Sequence, residues 1–122
     1  MSKEEEVTLL VNKIVESLQD KKGHDITTID MTGLDGSICM YFIICTGNSP
    51  TQVSALSDSV WDKVSIDLKE KPLGAVGMKD AQWVAMDYGT VIVHIFLPEL
   101  RAYYNLENLW ADAEIKTIPD IY

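Results

Sequence analysis

The chain has 122 residues, enough for one domain with a real core. Nineteen Asp and Glu stand against ten Lys and Arg, a formal charge of −9. That balance argues against sequence-specific nucleic-acid binding and against an anionic membrane surface, whereas a basic protein partner is compatible with it. No run of about 18 apolar residues is present to span a membrane, and MSKEEEVTLL lacks the basic and apolar regions of a signal peptide.

Residues 3–21 are expected to form a helix. Val7, Leu10, Val11, Ile14 and Leu18 make one apolar stripe, the acidic Glu4, Glu5 and Glu6 suit its first turn, and Gly23 is its stop. DITTIDM (25–31) reads as a short strand, punctuated by Gly33 and the Asp-Gly at 35–36. SICMYFIICTG (37–47) is apolar nearly throughout, as expected of a central strand covered on both sides. Cys39 and Cys45 on one strand would lie about 20 Å apart, too far for a disulfide, and two buried thiols fit a reducing, cytosolic compartment.

At GNSPTQVSAL the period changes to helical. Asn48 or Ser49 caps, Pro50 suits the first turn, and Val53, Leu56, Val60 and Val64 form the buried stripe of a helix over about 50–70. LGAVGMKD (73–80) reads as a loop or irregular edge strand. QWVAMD and TVIVHIFL form an antiparallel hairpin around Tyr88–Gly89, in which Asp87 pairs with Thr90 and Trp83 falls opposite His94. PELRAYYNLENLW (98–110) is helix-like, in one or two pieces. The expected organisation is a single domain over 1–122, with a helical N-terminus at 3–21, a core at 25–112 and a polar, less ordered tail at 113–122. The fold class is α/β, a mixed β-sheet flanked by helices. A crossover from 38–46 through the helix to 82–87 allows a parallel pair.

Alternation divides the hairpin into two faces. Val84, Met86, Val91, Val93, Ile95 and Leu97 form a wholly apolar one; Trp83, Ala85, Asp87, Ile92, His94 and Phe96 form the other. Asp87 and His94 are too far apart along that face for a catalytic dyad, so His94 is read as a histidine stacked on Trp83. GNSPT is not a nucleophile elbow, since Thr51 stands where the second Gly belongs. Two histidines and no C-x-x-C spacing give no transition-metal site. Nucleotidyl transfer would need a Gly-Ser turn, which TGNS resembles, and a D-x-[DE] strand for metal ions; here Gly89 sits two residues after Asp87. In that reading Asp87 would need a second carboxylate from Asp35 or Asp80. No catalytic residue, metal or cofactor is therefore assigned. A surface patch of Trp83, Tyr88, Ile92, His94 and Phe96 beside Asp87 is the remaining candidate, because Trp and Tyr anchor protein interfaces. It would also serve an acidic homodimer with a scaffolding role.

Taken in order, DI…D, CMYFIICTGNSPTQVSALSD, W…DYG…VIVHIF and R.YYNLENLW resemble the ribosomal silencing factor family, also called Iojap-like, over about residues 25–112. The combined set of Trp83, Asp87-Tyr88-Gly89, Val93-His94, Arg101, Tyr104 and Leu106-Glu107-x-Leu109-Trp110 carries the likeness. The resemblance implies a fold similar to nucleotidyltransferases without their catalytic carboxylates. It implies a cytoplasmic, non-enzymatic protein that binds the large ribosomal subunit through ribosomal protein L-fourteen. Docked there, it would obstruct joining of the small subunit and repress translation when nutrients are scarce. The family's contact surface maps by motif onto Trp83, Asp87 and Tyr88; His94 joins them from its expected place opposite Trp83. Three positions depart from the family pattern: Met40 and Val76 replace acidic residues, as does Thr90 after D-Y-G.

Overall fold

The computed structural model describes residues 1–34, 39–110 and 112–122. Helix α1 (Lys3–Asp20) starts at Ser2, whose hydroxyl accepts from the Glu5 amide while the Glu5 carboxylate accepts from the Ser2 amide. This reciprocal box satisfies two orphan donors of the first turn, and Glu4 to Glu6 lie at the positive end of the helix dipole. Helix α2 (Pro50–Leu68) also starts on a serine, without the reciprocal bond: Ser49 accepts from the Gln52 amide, and Pro50 supplies a preset φ where no amide hydrogen is needed.

Both helices lie on one face of a six-stranded sheet. Its strands are β1 (His24–Asp30), β2 (Tyr41–Thr46), β3 (Gly74–Val76), β4 (Trp83–Asp87), β5 (Val91–Phe96) and β6 (Glu114–Thr117), in spatial order β3-β4-β5-β2-β1-β6. Only β2 and β5 run parallel. The crossover thus lands on β5 rather than on the 82–87 strand, which pairs antiparallel on the far side of β5. β2 and β5 are the two most apolar runs in the chain, as central strands covered on both faces must be.

The core on the helix side unites Leu10, Ile14 and Leu18 of α1 with Leu56, Val60 and Val64 of α2, over Ile43, Cys45, Val84, Met86, Val93 and Ile95 of the sheet. Each such aliphatic side chain taken out of water stabilises by about 1.5–3 kcal/mol. The two helices approach closely at small residues: the Ser59 hydroxyl donates to the Ser17 carbonyl at 2.8 Å, and Ser17 donates to the Lys13 carbonyl at 2.7 Å. A second cluster lies on the opposite face and gathers Ile29, Met31, Cys39, Phe42, Ile44 and Phe96. The cysteines therefore fall on opposite sides of the sheet as free thiols. Burial pushes them up to about 11 (Cys39) and about 12 (Cys45), which keeps both protonated and unreactive at neutral pH.

Two further expectations change. The hairpin turn is Gly89–Thr90 rather than Tyr88–Gly89: the Tyr88 amide donates to the Val91 carbonyl, Asp87 pairs with Ile92 and Trp83 with Phe96. The register moves by two residues, so each side chain keeps its face. The 113–122 segment is more than a polar tail. Residues 114–117 add β6 to the edge of β1, Ile118 donates its amide to the Ile26 carbonyl, and the Tyr122 hydroxyl donates to the Gly23 carbonyl. The 98–110 segment takes the two-piece form of its expected helix, α3 (Pro98–Tyr104) and α4 (Leu106–Leu109), because Asn105 is left-handed at φ 45°. Residues 37–38, expected in the second strand, lie outside the described residues.

Two glycines with similar φ distinguish conformational strain from steric clash. At Gly77 (φ +82°) a Cβ would stand 1.9 Å from the Trp83 carbonyl oxygen; at Gly89 (φ +87°) the nearest atom would be Leu73 Cδ1 at 3.5 Å. Gly89→Ala should cost about 1 kcal/mol, the left-handed penalty alone. Gly77→Ala should cost more than about 2 kcal/mol because backbone must also move. Urea unfolding of the two variants checks the order.

Candidate functional site

The face of the sheet away from α1 and α2 is where the hairpin's polar and aromatic residues emerge. Pro98 starts α3 directly after β5, so the chain folds back over this face. Leu100, Leu106 and Trp110 pack against the second cluster. Arg101 pins the arrangement. Its Nη1 donates to the Asp25 carbonyl (2.6 Å) and Thr46 Oγ1 (2.9 Å), its Nη2 to Thr27 Oγ1 (3.0 Å), and Nε and Nη2 face the two Glu107 carboxylate oxygens at 3.4 Å. One guanidinium thus ties α3 to α4 and to the ends of β1 and β2. The guanidinium's rigid fork makes this possible; a lysine ammonium offers three donors from a single point.

Beside this pin runs a continuous aromatic array. Trp110 meets Phe42 (ring centroids 5.7 Å apart), Phe42 meets His94 edge-on (5.3 Å), and Trp83 stacks on Phe96 (5.0 Å) and tilts over Tyr104 (4.5 Å). Tyr103 stands edge-on to Tyr104 at 5.1 Å. The inner rings are buried, but the outer end is open: Tyr104 is 43% exposed, Tyr103 80% and Leu109 68%. Trp83 is half-buried between them. Contacts of this kind add about 0.5–1.5 kcal/mol each beyond area burial, so the array is a stiff surface.

His94 belongs to the support of this surface. Trp83 Nε1 donates to His94 Nδ1 at 3.1 Å. An indole nitrogen can only donate, so Nδ1 accepts and the ring proton sits on Nε2. Burial lowers the imidazole to about 4. A neutral, buried histidine that orients a tryptophan is a structural element. Asp87 is exposed, and its Oδ1 accepts from the Gly89 amide at 2.7 Å, which closes the hairpin turn.

The expected patch is corrected at Tyr88. By alternation Tyr88 follows Val84 and Met86 to the helix side, where it is 7% exposed and packs in the main core. Trp83, Asp87, Ile92, His94 and Phe96 do share the opposite face. Tyr103, Tyr104 and Leu109, which the hairpin-centred reading left out, complete it. Their signal was present in YYNLENLW, where apolar side chains outnumber those that two short helices can bury.

Among the described residues no group of three or more His, Cys, Asp or Glu is placed to hold a metal ion. Asp80 is exposed in the loop before β4, and Asp35 lies outside the described residues. No helix among the described residues is long and apolar enough to cross a membrane. Two of the three departures from the family pattern touch each other: the Met40 amide donates to the Thr90 carbonyl at 2.8 Å, while the third, Val76, stands exposed on the edge strand β3.

Two measurements check this construction. His94 binds its proton more weakly folded than unfolded, so it contributes stability above about pH 6.5 that is lost as pH falls towards 4. The loss attributable to His94 should reach on the order of 3 kcal/mol by pH 4; acid unfolding curves of wild type and His94→Gln isolate it as the difference in slope. Arg101→Lys should lower stability by roughly 1–3 kcal/mol and speed amide exchange selectively over 98–109.

Residues 3–121 match the family described as ribosomal silencing factor during starvation, RsfS. The ribosomal silencing factor RsfS of Bacillus subtilis is 40% identical over 99 residues, which covers 79% of this chain and 80% of that protein. A mouse protein named for mitochondrial assembly of the ribosomal large subunit is 28% identical over 102 residues, covering 82% of this chain and 44% of the mouse one. The crystal structure of a Chromobacterium violaceum protein, 33% identical, superposes with a TM-score of 0.80 over 93% of this chain and 94% of that one. With residues 3–121 of the chain matched to the family, and with the fold shared, the chain belongs to the ribosomal silencing factor family.

Proposed function

We propose that the aromatic face docks on the large ribosomal subunit through ribosomal protein L-fourteen, and that the bound domain blocks association with the small subunit by its bulk. The observation that carries this reading is the open end of the aromatic array, where Trp83, Tyr103, Tyr104 and Leu109 stand partly or largely exposed on a rigid base. Aromatic side chains held in one conformation lose little entropy on binding and anchor interfaces disproportionately. Asp87 places negative charge beside the array, and the net charge of −9 favours encounter with a basic ribosomal protein in the cytoplasm. The name of the mouse relative points to the same subunit.

The action is steric, with no bond made or broken: His94 is engaged by the Trp83 indole, and Asp87 by its own turn. His94 and Tyr88 then support the contact residues from behind, His94 by orienting Trp83 and Tyr88 by filling the core beneath the turn. Repression of translation under nutrient limitation follows from the blocked joining.

Sedimentation with purified large subunits tests the reading. Trp83→Ala and Tyr104→Ala should each weaken co-sedimentation by about 2 kcal/mol, roughly thirtyfold, and restore formation of joined ribosomes, while raised salt should weaken the wild type further. If both folded variants still block joining, the contact lies elsewhere.

A further inference from the structure

Strand β1 begins on a distorted segment that two other parts of the chain grip. Asp25 is left-handed at φ 50°, and the pairing with β2 shifts there: His24 faces Thr46 and Thr27 faces Ile44, so Asp25 and Ile26 together stand opposite Cys45. This is a β-bulge, which takes one residue out of the ladder and frees its backbone for another partner. An L residue keeps a left-handed conformation only where its surroundings fix it. One grip is Arg101, whose Nη1 donates to the Asp25 carbonyl at 2.6 Å; Thr27 Oγ1 donates to the same carbonyl at 3.1 Å. The other grip is the segment that follows β6. The Ile118 amide donates to the Ile26 carbonyl at 2.8 Å, His24 Nδ1 donates to Asp120 Oδ2 at 3.0 Å, and the Tyr122 hydroxyl donates to the Gly23 carbonyl. The Tyr122 ring also stands edge-on to the His24 ring, with centroids 6.2 Å apart. Gln52 of α2 holds the carbonyls of Lys21 and Lys22 just upstream, so the bulge itself is left to Arg101 and to 118–122.

Neither α3 nor α4 contains a buried side chain. Their position therefore depends on the partial packing of Leu100 and Leu106 and on the Arg101 guanidinium. Two of that guanidinium's anchors, the Asp25 carbonyl and Thr27 Oγ1, belong to the bulged segment. We propose that residues 118–122 are a strap that positions α3 and α4. Asp120 and Tyr122 hold the bulge in the shape that receives Arg101. Arg101 in turn holds the two helices that carry Tyr103, Tyr104 and Leu109. Asp120 and Tyr122 are thus positioning residues that act through Arg101. For subunit binding this rests on the aromatic face being the docking surface; the coupling within the free domain does not.

Amide hydrogen exchange of the free, full chain tests the coupling in four proteins: wild type, the strap variant Asp120→Ala/Tyr122→Phe, Arg101→Lys, and all three changes together. Asp120 and Tyr122 are both more than a third exposed, so their replacement spares the core. The strap variant should exchange about fivefold faster over 98–109, measured relative to α2. In the Arg101→Lys background the same two changes should add less than about twofold, since the group that transmits them is gone. Unchanged exchange over 98–109, or an equal acceleration in both backgrounds, would overturn the proposal. Co-sedimentation with purified large subunits is read separately, and there the strap variant should bind about fivefold more weakly. A strap variant that exchanges faster over 98–109 in the Arg101-dependent way, yet binds as wild type, upholds the coupling and contradicts docking through the aromatic face.

Discussion

Strand β5 must do two things at once, and the alternation of its side chains lets it. Val91, Val93 and Ile95 point into the core made with α1 and α2, while Ile92, His94 and Phe96 point the other way. Because β5 lies between β2 and β4, both sets sit near the middle of the sheet. The first set anchors the domain. The second set is only partly covered by the two short helices that follow, which leaves an aromatic surface on a base too well packed to collapse.

Two polar devices keep that surface in one shape. His94 gives the Trp83 indole an acceptor inside the apolar layer, which holds the ring against Phe96 and Tyr104. Arg101, from α3, satisfies carbonyl, hydroxyl and carboxylate groups of three other elements with one planar group. Both residues look like candidates for chemistry or for direct partner contact. Their hydrogen bonds show them spent on geometry, which leaves the exposed rings as the groups free for contact.

Much of this was legible in the amino-acid order. The stripes of α1 and α2, their serine caps and the two faces of the hairpin follow from spacing alone. The error at Tyr88 came from placing the turn one residue early, which put into the turn a residue whose amide still pairs across the hairpin; its parity with Val84 and Met86 already pointed inward. β6 was invisible because an edge strand with every side chain exposed needs no apolar pattern and is held by backbone pairing to β1. The parallel β2–β5 pairing was hidden for another reason: local pattern says that both strands are central, but not that β5 is the one inserted beside β2.

The central claim is that the domain meets its partner with the aromatic face and leaves the helix face free. Hydroxyl-radical footprinting of the chain on purified large subunits reads this residue by residue. Strong protection of Trp83, Tyr103, Tyr104 and Leu109, with Leu9 of α1 and Ile66 of α2 as reactive as in the free protein, is the predicted result. Protection of Leu9 and Ile66 with Tyr103 and Tyr104 unchanged would contradict it.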